Sequence, residues 1–447
     1  MLSLRSLAAL AALALPVSLL ANAGGPPIMR TGAPADGGLN CTVCHSSLGP
    51  ANSDPRGRVT IEAEPYRPGV KQILKVIVEH PDMIRWGFQL TARLVRDERQ
   101  KAGTFTQTST VRVRCSGGAP DGNCGNNLEF AVHNASSTQL NTPNRGMWEI
   151  EWTPPAANEG DVIFYAAGNA SNGNNINVGD RIYTTNRLVS GPCELSTPRV
   201  TSVRNAASFA EGPVSLNTLI SIGGSGFQPP GARRAVQPFD IENDRFPNAL
   251  GCIAVEIGGR RAPLTFVNEN QINAQVPSLV DLGPVEMRVI ANPGTPNERR
   301  GDPTTIQLAE VTPAFFRFLP SSAIAATLAG LNQLVADPAQ IQGARAARPG
   351  DAISLFATGL AATDPFFQAG EISFGLPRST HPITVMWNNV ILPGAAVRYI
   401  GLAPGTLSGL YQIDVVVPSA AGAGDNEVRL RVGSVMSPAG TTVFAAP

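Results

Sequence analysis

The sequence predicts an all-β protein built from several β-sandwich domains, and three observations carry that reading. Only 15% of the 447 residues are charged, while Gly and Pro number 45 and 38, a composition of short strands and frequent turns rather than long helices. Segment after segment alternates apolar and polar residues with the period of a half-buried strand. The second half repeats itself at roughly 130 residues, the mark of a duplicated domain. A chain of 447 residues exceeds what one core organises, so about three domains are expected.

Residues 1–23 begin with Arg5, continue through the apolar run Leu7 to Leu20 and end at Ala21-Asn22-Ala23, which reads as a secretory signal peptide with a small-x-small cleavage site. No Cys follows the cleavage point to take a lipid, and no later run of about 18 apolar residues would span a bilayer. The expected location is therefore secreted, periplasmic or extracellular, with no membrane span. An oxidising compartment lets cysteines pair.

Residues 24–58 form a segment rich in Gly, Pro, Ala, Ser and Asn, with the loop character that composition implies. Within it lies Cys41-Thr42-Val43-Cys44-His45, the C-x-x-C-H signature of c-type haem attachment. Two thiols three positions apart reach the two vinyl groups on one porphyrin edge. His45 then falls under the iron as proximal ligand. The competing readings are a thiol or disulfide pair with a bystander His45, and a zinc site, which lacks a second Cys or His pair at ligand spacing.

From Val59 the texture changes. VTIEAE, QILKVIVEH, WGFQLTARLV, STVRVRC, LEFAVHN, MWEIEWTPP, DVIFYAAGN and DRIYTTNRLV each alternate and are separated by turn residues. About eight such strands make an antiparallel β-sandwich over residues 59–192. Cys115 and Cys124 bracket the loop SGGAPDGN and would staple it, and Cys193 with Cys252 would be the second bridge. Four cysteines allow three connectivities, so the pairing stays open; this one leaves Cys41 and Cys44 for haem.

The run TGAPADGGLNCTVCHSS, then PYRPGVKQ, WGFQLTAR, AGTF, VHN, WEIEWTPP, VIFYAAGNASNG and GDRIYTT resembles the secreted bacterial choice-of-anchor V domain, a relative of the reeler β-sandwich, over residues 30–190. Members of that family typically carry the same CxxCH. The resemblance implies a haem-binding loop on a reeler-like sandwich. The variable C-terminal anchor of the family's name is not seen at the end of this chain.

In the second half, Leu219-Ile220-Ser221-Ile222 parallels Ile353-Ser354-Leu355, VEIGGRRAPLTFVNENQINAQVPSL parallels VMWNNVILPGAAVRYIGLAPGTLSGLYQIDVVVPSA, and VEMRVIA parallels VRLRVGS. Two domains are expected, 193–312 and 313–447. RNAASF, ISIGGSGF, NQINAQVP, ARPGDAISLFATGLAATDP and GLYQIDVVVP resemble the tandem Ig-like C-terminal module of secreted acidobacterial proteins, itself similar to IPT/TIG sandwiches, over residues 197–447. That resemblance implies a surface role and no catalysis. Gln228 to Leu250 is expected as an exposed loop, and Ser321 to Gln342 as a hairpin or short helix.

For the far face of the iron the candidates are His80, His133, Met83 and Met147, with His381 remote. His133 is preferred: it sits in the strand LEFAVHN, where the resembling family usually has His, and a strand presents a side chain rigidly. Met83 would raise the reduction potential, Met147 and the pair Trp148 and Trp152 are expected in the core, and an open sixth position is the remaining option. The loop at residues 168–180, with Asp180 as its one carboxylate, reads as turn chemistry rather than a calcium site.

A net charge of zero argues against a broad basic surface for nucleic acid. No nucleophile elbow, phosphate loop or HExxH is present, so no enzyme is expected. The expected function is that of a secreted monohaem c-type cytochrome-like protein, in electron transfer or redox or ligand sensing, with an unidentified redox partner. The rival is an extracellular adhesion or matrix-binding protein, with CTVCH as a disulfide loop and a surface ligand as partner.

Overall fold

The computed structural model describes residues 24–360 and 362–446; the signal peptide expected at 1–23 lies outside them. Among the described residues the only helices are single 3-10 turns, and everything else regular is strand. The chain divides after Pro192 into two compact units.

The first unit is a sandwich of two antiparallel sheets. Its strands are β1 (Arg58–Glu62), β2 (Gln72–His80), β3 (Arg85–Leu94), β4 (Asp97–Lys101), β5 (Thr104–Phe105), β6 (Val111–Cys115), β7 (Glu129–His133), β8 (Asn144–Thr153), β9 (Val162–Ser171) and β10 (Arg181–Val189). One sheet runs β1-β2-β8-β5; the other runs β10-β9-β3-β7-β6, with β4 beside β3. Leu74, Val76 and Val78 of β2 and Trp148, Ile150 and Trp152 of β8 face Phe88, Leu90, Phe164 and Ala166 from the other sheet in one core. Alternation in β8 is clean, with every second residue buried, as one wet face requires.

The larger sheet departs from that pattern. β3 is buried along nearly its whole length and β7 throughout, because residues 24–57 lie across its outer face. The backbone N–H of Arg30 donates to Gln89 Oε1 at 2.6 Å, and Gln89 Nε2 donates back to Pro27 O at 2.9 Å. Arg93, fully buried, donates from Nε to Thr91 Oγ1, from Nη1 to Glu98 O and from Nη2 to Asp36 Oδ2 at 2.7 Å. A charge held away from water needs such a full set of partners. The loop expected at 24–58 is thus a third layer.

In the second unit two sandwiches follow one another with recurring topology. The order Leu219–Ser225, Gln271–Gln275, Leu264–Asn268 in the first recurs as Ala352–Thr358, Tyr411–Val416, Val397–Leu402 in the second. On the opposite sheets, Ile253–Ile257 beside Gly283–Ala291 recurs as Ile383–Trp387 beside Gly424–Val432. Residues 228–250 are not simply an exposed loop: Arg233–Ala235 pairs with Leu264–Asn268, and the buried Arg234 holds Asp240 and lies over Phe239. Between Ser321 and Gln342 there is no helix; Ala326–Leu328 pairs with Ala352–Thr358. Cys115 is bridged to Cys124 and Cys193 to Cys252.

Candidate cofactor site

Cys41–Val43 form a 3-10 turn, begun by Asn40, whose side chain accepts the Thr42 N–H at 2.9 Å. Asn at that position satisfies a backbone donor the turn leaves free. The His45 N–H closes on Cys41 O at 3.0 Å, so the thiols and the imidazole belong to one tight turn. That turn is clasped by the loop between β9 and β10. Asn177 Nδ2 donates to Cys44 O at 2.7 Å, the Gly179 N–H to Ser47 Oγ at 2.8 Å, and Arg181 Nη1 to Leu48 O at 3.0 Å. His45 Nδ1 meets Asp180 Oδ2 at 2.7 Å, with the Asp180 side chain 1% exposed.

The turn forms one wall of a cavity of about 320 Å³, within the range of small-molecule and cofactor pockets. Cys41, Cys44 and His45 line it from the loop, Trp86 and Phe88 from β3, and His133 from β7. Both thiols are free, although the other four cysteines are bridged. Burial, reinforced by the neighbouring Cys44, pushes the Cys41 thiol up to about 12, so it stays protonated.

His133 is buried, and burial draws its pKa down to about 4; the ring is neutral near pH 7. Its Nδ1 lies 3.0 Å from the Phe88 N–H and 3.2 Å from Phe88 O. The tautomer protonated on Nε2 accepts the Phe88 N–H at Nδ1, whereas the one protonated on Nδ1 donates to that carbonyl and leaves Nε2 as a free base. Among the described residues no hydrogen bond reaches Nε2 of either His45 or His133. The ring has room only because residue 87 is glycine: a Cβ there would stand 2.7 Å from His133 Cε1.

The other expected ligands are engaged elsewhere. His80 is buried with Nε2 3.2 Å from Asp54 Oδ2, and its Nδ1 accepts the Asp82 N–H. Met83 belongs to the core. Met147, expected in the core, is 39% exposed on the outer face of β8, because the neighbouring Trp148 takes the inward position. Trp148 and Trp152 are core residues whose Nε1 groups donate to Ser137 O and Ala102 O. His381 lies beside Glu310 in the second unit. Among the described residues no three His, Cys, Asp or Glu side chains converge as a metal-ion set, and the loop at 168–180 serves the CxxCH turn. Sequence reasoning missed Asp180 as the partner of His45, and Trp86 and Phe88 as cavity walls. Asp180 stood out only as the single carboxylate of an Asn-rich loop.

No protein family matches the chain, and no curated protein does. Solved structures similar to it include the human F-spondin reeler domain, at 20% identity over 31% of this chain and 89% of that one, with a TM-score of 0.21. A type I cohesin of Pseudobacteroides cellulosolvens is similar at 10% identity over 30% and 92%, with a TM-score of 0.20. The plexin A4 extracellular region is similar at 10% identity over 88% of this chain and 34% of that one, also at 0.20. These are likenesses in strand arrangement, and no function passes from them to this chain.

Proposed function

We propose that this is a secreted protein that holds one haem c in the cavity between its CxxCH turn and β3 and β7, and works by one-electron transfer or by redox or ligand sensing. The observation that carries the reading is the convergence of Cys41, Cys44, His45 and His133 on a single cavity. The chemistry of the donor set fits the group: two free thiols for the vinyl groups, and two imidazoles whose Nε2 atoms carry no hydrogen bond. Haem at this position would supply a one-electron iron couple whose axial ligands set its potential.

The residues of the chain then have separate roles. Cys41 and Cys44 would anchor the ring. Asp180 holds the His45 imidazole through Nδ1, which would leave Nε2 for the iron, as bound imidazoles usually require of their outer partner. Trp86 and Phe88 would give the group an apolar wall, and His133 would be the second residue to hold it. The resemblance of residues 30–190 to the choice-of-anchor V domain agrees with this reading, and the Ig-like pair would act as spacer or docking module. The two disulfides fit an oxidising compartment, and among the described residues no helix is long and apolar enough to cross a membrane.

The test is an absorption spectrum of the mature chain produced with a cytochrome c maturation system, before and after dithionite, followed by a pyridine haemochrome assay. A reduced α-band that survives denaturation is expected, lost in the double variant Cys41→Ser with Cys44→Ser. His133→Ala should keep the haem and lose the low-spin signature. A colourless protein with Cys41 and Cys44 linked to each other would end the cytochrome reading and leave extracellular adhesion as the account.

A further inference from the structure

We infer that Asp180 is a positioning residue that also acts electrostatically, lowering the reduction potential of the iron through His45 and so making the two axial imidazoles unequal. The inference rests on the haem reading above, and three observations lead to it.

First, the contact is short and dry. His45 Nδ1 and Asp180 Oδ2 are 2.7 Å apart, and the carboxylate is 1% exposed. A charge-assisted hydrogen bond shielded from water is markedly stronger than a neutral one.

Second, Asp180 shares its charge with no guanidinium or ammonium among the described residues. Its other oxygen takes the Asn172 N–H at 3.3 Å, while the adjacent Arg181 turns to Leu48 O and Asp54. The imidazole is thus the ionisable partner in direct contact with this carboxylate, while Arg30 and Arg85 line the same cavity without pairing to it.

Third, the two axial candidates have different backing. Among the described residues, the groups that hydrogen-bond His133 Nδ1 are the backbone N–H and C=O of Phe88. A carboxylate draws the Nδ1 proton and makes Nε2 a stronger donor to iron than a carbonyl does. A stronger donor with a nearby negative charge favours the ferric over the ferrous state. The centre is thereby tuned toward giving up its electron.

The test uses the full mature chain and compares the parent with Asp180→Asn. The amide keeps the shape and an acceptor oxygen, so a residue that merely orients His45 leaves the potential unmoved. Equal haem content by pyridine haemochrome is expected. In a spectroelectrochemical titration the variant should show a ferrous-to-ferric ratio at least tenfold higher at a fixed applied potential, a rise of about 59 mV for a one-electron couple. Resonance Raman gives a second readout. In ferrous His133→Ala protein the iron–histidine stretch should fall in frequency when Asp180→Asn is added.

If both proteins carry haem and their potentials agree within a twofold change in that ratio, the inference fails and the cytochrome reading stands. If neither carries haem, both fall. Should Asp180→Asn not fold, the ferrous His133→Ala protein decides alone: a low-frequency iron–histidine stretch, typical of a neutral hydrogen-bond partner, overturns the inference.

Discussion

The large sheet of the first sandwich and the corresponding sheet of the second carry different loads on their outer faces. In the second sandwich the outward positions of Leu219–Ser225 and Gln271–Gln275 hold polar side chains, from the half-buried Gln271 and Asn273 to the buried Ser221 and Gln275, and the apolar core lies on the inner face. In the first, residues 24–57 cover the outer face, and the candidate cofactor cavity opens between that cover and β3 and β7. A close-packed sandwich interior leaves no room for a cofactor; a layer added on the outside makes one.

The sharpest way to break the contrast is to lift the cover. Asp36→Ala leaves Arg93 buried without its carboxylate, and loss of one partner of a buried pair costs about 3–5 kcal/mol. Urea denaturation followed by tryptophan fluorescence reads it, since three of the four tryptophans, Trp86, Trp148 and Trp152, sit in this sandwich. A change below about 1 kcal/mol would mean that the segment is held by other contacts.

A smaller loss is expected on the other side of the comparison. Gln275 is fully buried within the second unit, donates to Asn217 O and Ser408 Oγ, and accepts the Gly370 N–H at 2.7 Å. Gln275→Ala strands those groups at a cost of about 1–3 kcal/mol. Hydrogen exchange at the Gly370 amide should accelerate while β3 and β9 keep their protection. Equal acceleration in β3 would show that the two regions do not respond independently.

Within the cavity, Gly87→Ala forces the His133 ring to shift, since the new Cβ would meet Cε1 at 2.7 Å. Overpacking of this kind costs about 1–3 kcal/mol. The haem-loaded variant should also lose part of its low-spin absorption, and an unchanged spectrum would count against His133 as axial ligand.

The smallest effect is acid sensitivity. The Arg56 side chain, then the Arg56 N–H and His80, hold the Asp54 carboxyl well below its ordinary 3.8. The unfolded chain therefore binds the proton first, so this contribution to stability is complete above about pH 4 and is lost as the pH falls toward the folded value. Asp54→Asn should flatten the acid limb of a stability-versus-pH curve recorded by tryptophan fluorescence. An unaltered limb would assign it to other carboxylates.

Much of this molecule follows from local chemistry. The CxxCH turn was legible in five consecutive residues. β2 and β8 were legible in their alternation. The duplicated sandwiches were legible in repeated strings whose strands do pair in the same order. These features depend on neighbours along the chain or on a simple period, which a sequence displays openly. The double burial of β3, the pairing of His45 with Asp180 across a separation of 135 residues, the commitment of His80 to Asp54 and the outward turn of Met147 were decided by the tertiary structure. Alternation reports one face of a strand and is silent about what settles on the other. A docked loop is held by scattered hydrogen bonds and one buried ion pair, and such contacts leave no periodic trace, because each depends on two distant positions that only the folded backbone brings within about 3 Å of one another.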